Sequence, residues 1–229
     1  EIENARAVWR HAMINRYDIG EMPEWRAFKL KANRIAPREL SFDEEGRLFV
    51  HLRADVRDAV DFLLKSGWRR DEVLKLRWSD CRLEQRQATT KIKGGDVVAR
   101  ALSNSLVEVI GRQPKVGPFV FTYECQRSRG ARRKGQRYPL TATSLRGPFA
   151  EALELANIAA FRLHDLRHTR GTRIVRSTGS LAAAKEALKH RSISTTLRYA
   201  HVLDEDVRNA LEASDRSVDY VVRRSVAND

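Results

Sequence analysis

The sequence predicts a mainly α-helical protein with one small antiparallel β-sheet, an α+β arrangement. Two observations predict it, and a third bounds it. Apolar residues recur at helical spacing in separate stretches, at 3–18, 54–65 and 180–188. One run, 86–102, instead places strand-favouring residues on both sides of Gly94-Gly95-Asp96, which is a hairpin signal. The chain of 229 residues is long enough to bury a full core in one domain with a smaller appendage.

Taken in order, residues 3–18 read as a helix with Ala5, Val8, Trp9 and Ala12 on one stripe, and Met22-Pro23 breaks it. Residues 24–38 are basic and irregular, carrying Lys29, Lys31, Arg34 and Arg38. They suit a linker along a phosphate backbone and, equally, a plain solvated connection. Ser41-Phe42-Asp43-Glu44 fits a capping box. A helix follows over 54–65 with Val56, Val60, Leu63 and Leu64 inward, and Gly67 stops it. Arg69 comes just after that glycine, where the turning chain can aim it into a cleft.

In the hairpin, Thr89, Thr90 and Ile92 favour strand, and Val97 to Leu102 returns. Lys93 sits at its edge, with Lys91 two residues away on the same strand face. Ser105 is read as the cap of a short helix, and Pro118-Phe119-Val120-Phe121 as an apolar segment. Residues 126–137 carry Arg127, Arg129, Arg132, Arg133, Lys134 and Arg137 without apolar periodicity, which predicts a mobile basic loop. Its expected role is phosphate contact and steering without base specificity, with a localisation signal as the lesser alternative. Residues 144–157 form the next helix.

The stretch 161–201 carries the densest chemistry. His164 and Arg167 are three apart and share a helix face, while Leu163, Leu166 and Ile174 cover the opposite side. A cation beside a titratable imidazole suits an anionic oxygen that must also exchange a proton. An amphipathic helix over 180–188 leads to His190, and Tyr199 follows nine residues later. A further helix over 204–213 aligns Val207, Ala210 and Leu211, and a tail carries Val218, Tyr220, Val221 and Val222.

Composition narrows the partners. A net charge of +13 with a pI near 10.2 favours a polyanion, most simply nucleic acid. A membrane is the rival polyanion, but no apolar run approaches the roughly 18–20 residues of a spanning helix, and no signal peptide opens the chain. Cys81 and Cys125 give neither metal spacing nor a disulfide framework, which fits a reducing cytoplasm. No acidic cluster for divalent cations and no phosphate-cradling glycine loop is evident, so no metal, ATP or other cofactor is expected. Glu1 is not a methionine, which leads us to expect a fragment of a longer protein.

The ordered motifs LHDLRH, LKH and STTLRYAH resemble the tyrosine recombinase (phage integrase) family of site-specific DNA recombinases. The resemblance covers about 39–205. It implies a tyrosine recombinase catalytic domain with a C-terminal tail over 39–229, and the last helix of a core-binding domain plus linker over 1–38. Arg69 matches the first catalytic arginine of a motif usually seen as Thr-Gly-Leu-Arg-x-x-Glu-Leu, from which Ser66 and Trp68 depart. Glu72 matches a buried acidic residue that orients an arginine. Lys93 matches the catalytic hairpin lysine, with Lys91 as its competitor. His164, Arg167, His190 and Tyr199 complete the set. The family usually has Leu-Gly-His where this chain has Leu188-Lys189-His190, a bulky cation at a place of close helix packing.

The implied chemistry is attack by Tyr199 on phosphorus, giving a 3′-phosphotyrosyl link and a free 5′-hydroxyl. The implied partner is double-stranded DNA, bound by a homo-tetramer assembled from monomers. Such a protein works in the cytoplasm, at the nucleoid when bound. The tail suits docking on a neighbouring protomer or, equally, on its own domain. A type IB topoisomerase, which uses the same constellation, and a DNA-binding module without catalysis are the alternatives.

Overall fold

The computed structural model describes residues 2–25, 27, 37–92, 94–204, 207, 208, 211 and 212. Lys29, Lys31, Arg34, Lys93 and the tail beyond 212 lie outside these. The chain divides into two compact units, Glu1–Ala36 and Pro37–Asp229.

In the first unit, α1 (Ile2–Ile14) is shorter than the predicted 3–18 because Arg16 takes a positive φ of 58° and ends it. None of its residues is buried. Of the predicted stripe, Ala5 and Val8 are exposed, and Trp9 and Ala12 are half-buried. Trp9 meets Trp25 edge-on at 6.2 Å.

The second unit opens with α2 (Phe42–His51), capped by Ser41 and Glu44 as the capping box predicts. Helix α3 (Ala54–Ser66) buries Val56, Val60, Phe62, Leu63 and Leu64, and Gly67 ends it at φ 63°. Glycine suits that left-handed turn, and a Cβ there would lie 2.6 Å from Leu188 Cδ2 and force the leucine to shift. Short α4 (Arg70–Leu74) and a 3-10 turn (Trp78–Asp80) lead to β1 (Cys81–Arg82), β2 (Gln87–Lys91) and β3 (Val97–Ala101). These form an antiparallel sheet in the order β1-β2-β3, with Lys91 opposite Val97.

Three elements differ from expectation in detail. Ser103, not Ser105, caps α5 (Asn104–Gly111), because its hydroxyl is the one that reaches the Leu106 amide. Helix α6 (Ala142–Leu155) starts two residues earlier than read, at the Thr141 cap. Residues 126–137 are the folded crossing between β4 (Thr122–Glu124) and β5 (Arg137–Pro139). The Arg133 and Lys134 amides donate to Tyr138 Oη and Ser128 Oγ, and Arg132 lies over the Tyr123 and Tyr138 rings. The flanking tyrosines thus supply the order that the loop's own composition lacks.

Helices α7 (Asp165–Thr178) and α8 (Leu181–Leu188), then α9 (Ile193–Thr196) and a 3-10 turn (Leu197–Tyr199), complete the described elements. Positions 200–204, 207, 208, 211 and 212 are helical, and Val207 and Leu211 are exposed. The main core, around Leu48, Val60, Phe62, Ile110, Phe121, Leu145 and Leu166, is separate from a small second core of Val175, Ala184, Leu188, Tyr199 and Val202. The second core sets the nucleophile candidate among apolar neighbours.

Lys189 ends α8 in the left-handed region, at φ 51° and ψ 53°, and its ammonium pairs with Glu186. Its departure from glycine therefore acts through the backbone, not through crowding between helices. A non-glycine residue there costs about 1 kcal/mol, and the exposed ion pair returns little of it. Lys189→Gly should stabilise the protein by about 0.5–1 kcal/mol. The check is a higher urea midpoint at unchanged slope.

Candidate active site

Arg69 caps the N-terminus of α4 immediately after the Gly67 turn. Its guanidinium donates to Glu72 Oε1 at 3.0 Å, and its backbone amide donates to the same carboxylate. Glu72 is buried, and its other oxygen accepts from Arg100 on β3 at 2.7 Å. Arg100 lies over the Trp68 ring at 4.6 Å and donates to the Ala187 carbonyl at the end of α8. The carboxylate thus orients Arg69, as its position in the motif implied, while Arg100 ties the sheet to it.

Arg167 projects from the first turn of α7 and is 4% exposed. It donates to the Gly67 carbonyl at 2.6 Å and the Leu188 carbonyl at 2.7 Å, the ends of α3 and α8. His164 precedes α7 as its N-cap. Leu166 packs into the main core and Leu163 against it, as the helical pattern requires.

His190 follows α8, and its Nδ1 hydrogen-bonds Thr196 Oγ1 at 2.9 Å. The rings of His190 and Tyr199 stack nearly parallel, 6° apart in plane, with centroids 6.4 Å apart. The His168 ring flanks Tyr199 at 5.1 Å. Tyr199 packs on Gly171 of α7 so closely that a Cβ there would lie 2.4 Å from Cζ. Glycine at that position is a space requirement set by the tyrosine.

Arg69, His164, Arg167, His190 and Tyr199 line one cavity of about 130 Å³, together with Pro37, His168, Thr195 and Arg198. A neighbouring cleft of about 580 Å³ shares Arg69, His164 and Arg167 and adds Lys91 at the end of β2. Lys93, the predicted hairpin lysine, lies outside the described residues. The hairpin turn touches the segment after His190, where Arg191 pairs with Asp96 at 2.7 Å. Arg127, Arg129, Arg132, Arg133 and Lys134 are exposed and line neither cavity. Among the described residues no group of three or more His, Cys, Asp or Glu side chains gathers as metal ligands would.

Arg100, His168, Thr196 and Arg198 were not singled out from sequence. Arg100 left one readable sign. It pairs across the sheet with small, buried Ala88, so an arginine stands on the inward face of an alternating strand.

The charges act strongly on one another. Burial, with the Arg69 charge beside it, brings Arg167 down to about 10. Burial also lowers His190 to about 4, with Arg167 and Arg69 adding to the effect. His164 is lowered by crowding on its protein side and then by Arg167, although part of its surface stays open. Tyr199 is raised by burial, against an opposing pull from Arg167 and Arg198.

The model of the Phage integrase family matches residues 39–206. This chain belongs to the phage integrase family. Among curated relatives it is 26% identical over 230 residues to the integrase of Salmonella phage P22, covering 98% of this chain and 56% of that protein. It is also 26% identical over 143 residues to tyrosine recombinase XerC of Alcanivorax borkumensis, covering 62% and 46%. The chain therefore spans about half the length of these curated relatives. Solved structures share the fold. The XerA recombinase superposes with a TM-score of 0.60 at 20% identity, covering 91% of this chain and 73% of that one. The catalytic domain of bacteriophage HP1 integrase gives 0.57 at 21%, covering 77% and 95%. A lambda integrase dimer bound to a COC′ core site gives 0.63 at 15%, covering 86% and 70%. As an integrase-family catalytic fold, the second unit is mainly helical with a small antiparallel sheet, as the sequence predicts, and a second small sheet, β4-β5, joins it.

The lowered histidines set a pH dependence. A folded-state pKa near 4 for His190, below the free value of 6.5, means that protonation opposes folding. Its stabilising contribution is full above pH 6.5 and is lost as pH falls towards 4. Between pH 7 and 4, His190→Gln should lose roughly 1–3 kcal/mol less stability than the parent chain. Urea unfolding at both pH values measures this, with His164 and His168 accounting for residual acid sensitivity.

Proposed function

We propose that this chain is the catalytic part of a site-specific DNA recombinase that cuts and rejoins strands through a 3′-phosphotyrosyl intermediate, without metal or ATP. The observation that carries the reading is the convergence of Arg69, His164, Arg167, His190 and Tyr199 on one cavity.

A phosphodiester presents two non-bridging oxygens, and Arg69 and Arg167 act as a clamp on them. Both are held by partners that leave further N–H donors for a ligand. Tyr199 Oη attacks phosphorus. The P–O(Tyr) bond forms, the P–O5′ bond breaks, and the strand keeps its 3′-phosphate on the enzyme. The phenol's raised pKa means it enters the reaction protonated, so it needs a base. His164, lowered below its ordinary value, is neutral at pH 7 and takes the proton. His190 is also neutral, and in the tautomer whose Nδ1 accepts the Thr196 hydroxyl hydrogen bond, Nε2–H binds the phosphate or the departing oxygen.

The leaving 5′-oxygen receives a proton from the hairpin lysine, Lys93 in this reading. The position of Lys91 in the cleft beside Arg69 and His164 supports it as the alternative donor. The bond energy retained in the phosphotyrosine lets the hydroxyl of a second strand religate, which is strand exchange. The exposed basic loop around Arg127, Arg129, Arg132, Arg133 and Lys134, with linker residues Lys29, Lys31 and Arg34, supplies backbone contacts. The assembly is a homo-tetramer on double-stranded DNA at the nucleoid. No described helix is long and apolar enough to cross a membrane.

Supercoiled plasmid incubated with the protein in EDTA, without ATP, and quenched with detergent should yield protein-linked nicked DNA. Tyr199→Phe should retain DNA binding and lose the adduct entirely; residual adduct would place the nucleophile elsewhere. Strand transfer to a second duplex separates recombination from simple relaxation by a topoisomerase. Lys93→Ala should cut cleavage by about 10²–10⁴-fold and Lys91→Ala far less. The reverse ranking would assign the proton to Lys91.

A further inference from the structure

Behind the nucleophile lies a second polar cavity of about 360 Å³. Two of its lining side chains are more than nine-tenths buried and lack a hydrogen-bond partner among the described residues: His168 through Nδ1 and Thr172 through Oγ1. Burying such groups without a partner is costly, and native proteins rarely leave two together. Both come from successive turns of α7, four residues apart, so they face the same way. Its lining carries Arg38, Arg176 and Arg198 against one carboxylate, Glu39; Arg38 is held by Glu44, Arg176 is joined to Glu39, and Arg198 is exposed at the rim. Arg173 also pairs with Glu39, so that charge is already engaged.

We propose that this cavity is a second oxyanion site, which takes a phosphate group on Thr172 Oγ1 and His168 Nδ1–H under the charge of Arg198. Water alone satisfies buried groups in many proteins, but a cationic rim around two aligned donors selects an anion over water. The cavity shares His168 and Arg198 with the active-site cavity. If the recombinase reading holds, and only the ligand's source rests on it, the phosphate is a backbone phosphate neighbouring the one clamped by Arg69 and Arg167. Free inorganic phosphate is the other source of the same chemistry. The contact of His168 with the Tyr199 ring places an occupied site directly against the nucleophile.

The test is thermal melting of the full chain in EDTA, titrated with inorganic phosphate against chloride at matched ionic strength. It uses an Arg69→Gln background, so that the catalytic clamp contributes little. Phosphate should raise the melting temperature, and Thr172→Val should weaken phosphate binding by about tenfold, the loss of one hydrogen bond to a charged group. Valine matches threonine in shape, so without phosphate the variant should melt at or above its parent. A lower melting point would reveal a structural partner for the hydroxyl and overturn the site. No phosphate response would mean water only, and an equal response with and without Thr172→Val would place the phosphate elsewhere; either would also overturn it.

Binding of a non-specific duplex identifies the source. A parallel severalfold loss in Thr172→Val assigns the site to the DNA backbone, and unchanged DNA affinity with a weakened phosphate response assigns it to free phosphate. The melting readout does not involve Tyr199 chemistry. Absence of a Tyr199-dependent adduct would therefore reject the recombinase reading and leave this result standing.

Discussion

The guanidinium of Arg167 is the interaction on which the rest depends. It carries a positive charge into the interior, and among the described residues no carboxylate lies within ion-pair reach of it. Its counter-charge is instead the negative end of two helices: the carbonyls of Gly67 and Leu188 are the outward-facing acceptors that close α3 and α8. One side chain thereby satisfies two helix ends and fixes the angle between three helices. The same fixing places Arg69, which follows Gly67, and His190, which follows Leu188 by two residues. An arginine is needed because only a planar fork with several donors can bind two carbonyls and still offer N–H groups to a ligand.

Beside it, two guanidiniums, those of Arg69 and Arg100, share one buried carboxylate. Arg69, Arg100 and Arg167 bring three positive charges and Glu72 one negative, so two remain uncompensated. That excess is tolerable only because Arg69 stays partly solvated and Arg100 spreads its charge over Trp68. Burial first, and then this excess, lowers His164 and His190, and Tyr199 feels two opposed influences, burial against fixed cations. Under the proposed recombinase reading, such a site suits a phosphodiester, which arrives with one negative charge and gains a second as phosphorus becomes five-coordinate.

Much of this was legible before any coordinates. The Gly67 stop, the Ser41 cap, the hairpin and the helix holding Arg167 follow from local rules, because glycine, serine and alternation act over a few residues. The ordered set Arg69, His164, Arg167, His190 and Tyr199 was legible because its motifs follow one another at a set spacing along the chain. What stayed hidden depends on contacts between distant segments. Arg100 acquires its meaning only when β3 is laid beside Glu72, and His168 only when Tyr199 folds back onto α7. The contacts of the basic loop were hidden because they come from tyrosines outside it. The cost of Lys189 is a dihedral angle, which no composition rule reports.

The entry into the second unit is fastened unusually well. Arg38 grips Glu44 with two parallel hydrogen bonds and reaches the Ala159 carbonyl. Glu39 holds Arg176 in the same forked way, the Leu40 amide donates to Thr169, and Arg173 donates back to the Leu40 carbonyl. Glu39 and Leu40 are thus laced to α7, the helix that also bears Arg167 and Gly171, while Arg38 is tied to α2 and to the loop before α7. In mechanical terms this is a seam loaded in shear. A pull on the chain at Pro37 would be divided among several bonds that must fail together, rather than peeled apart one by one. The helix beneath would feel the strain as a whole before any single side chain of the site moved.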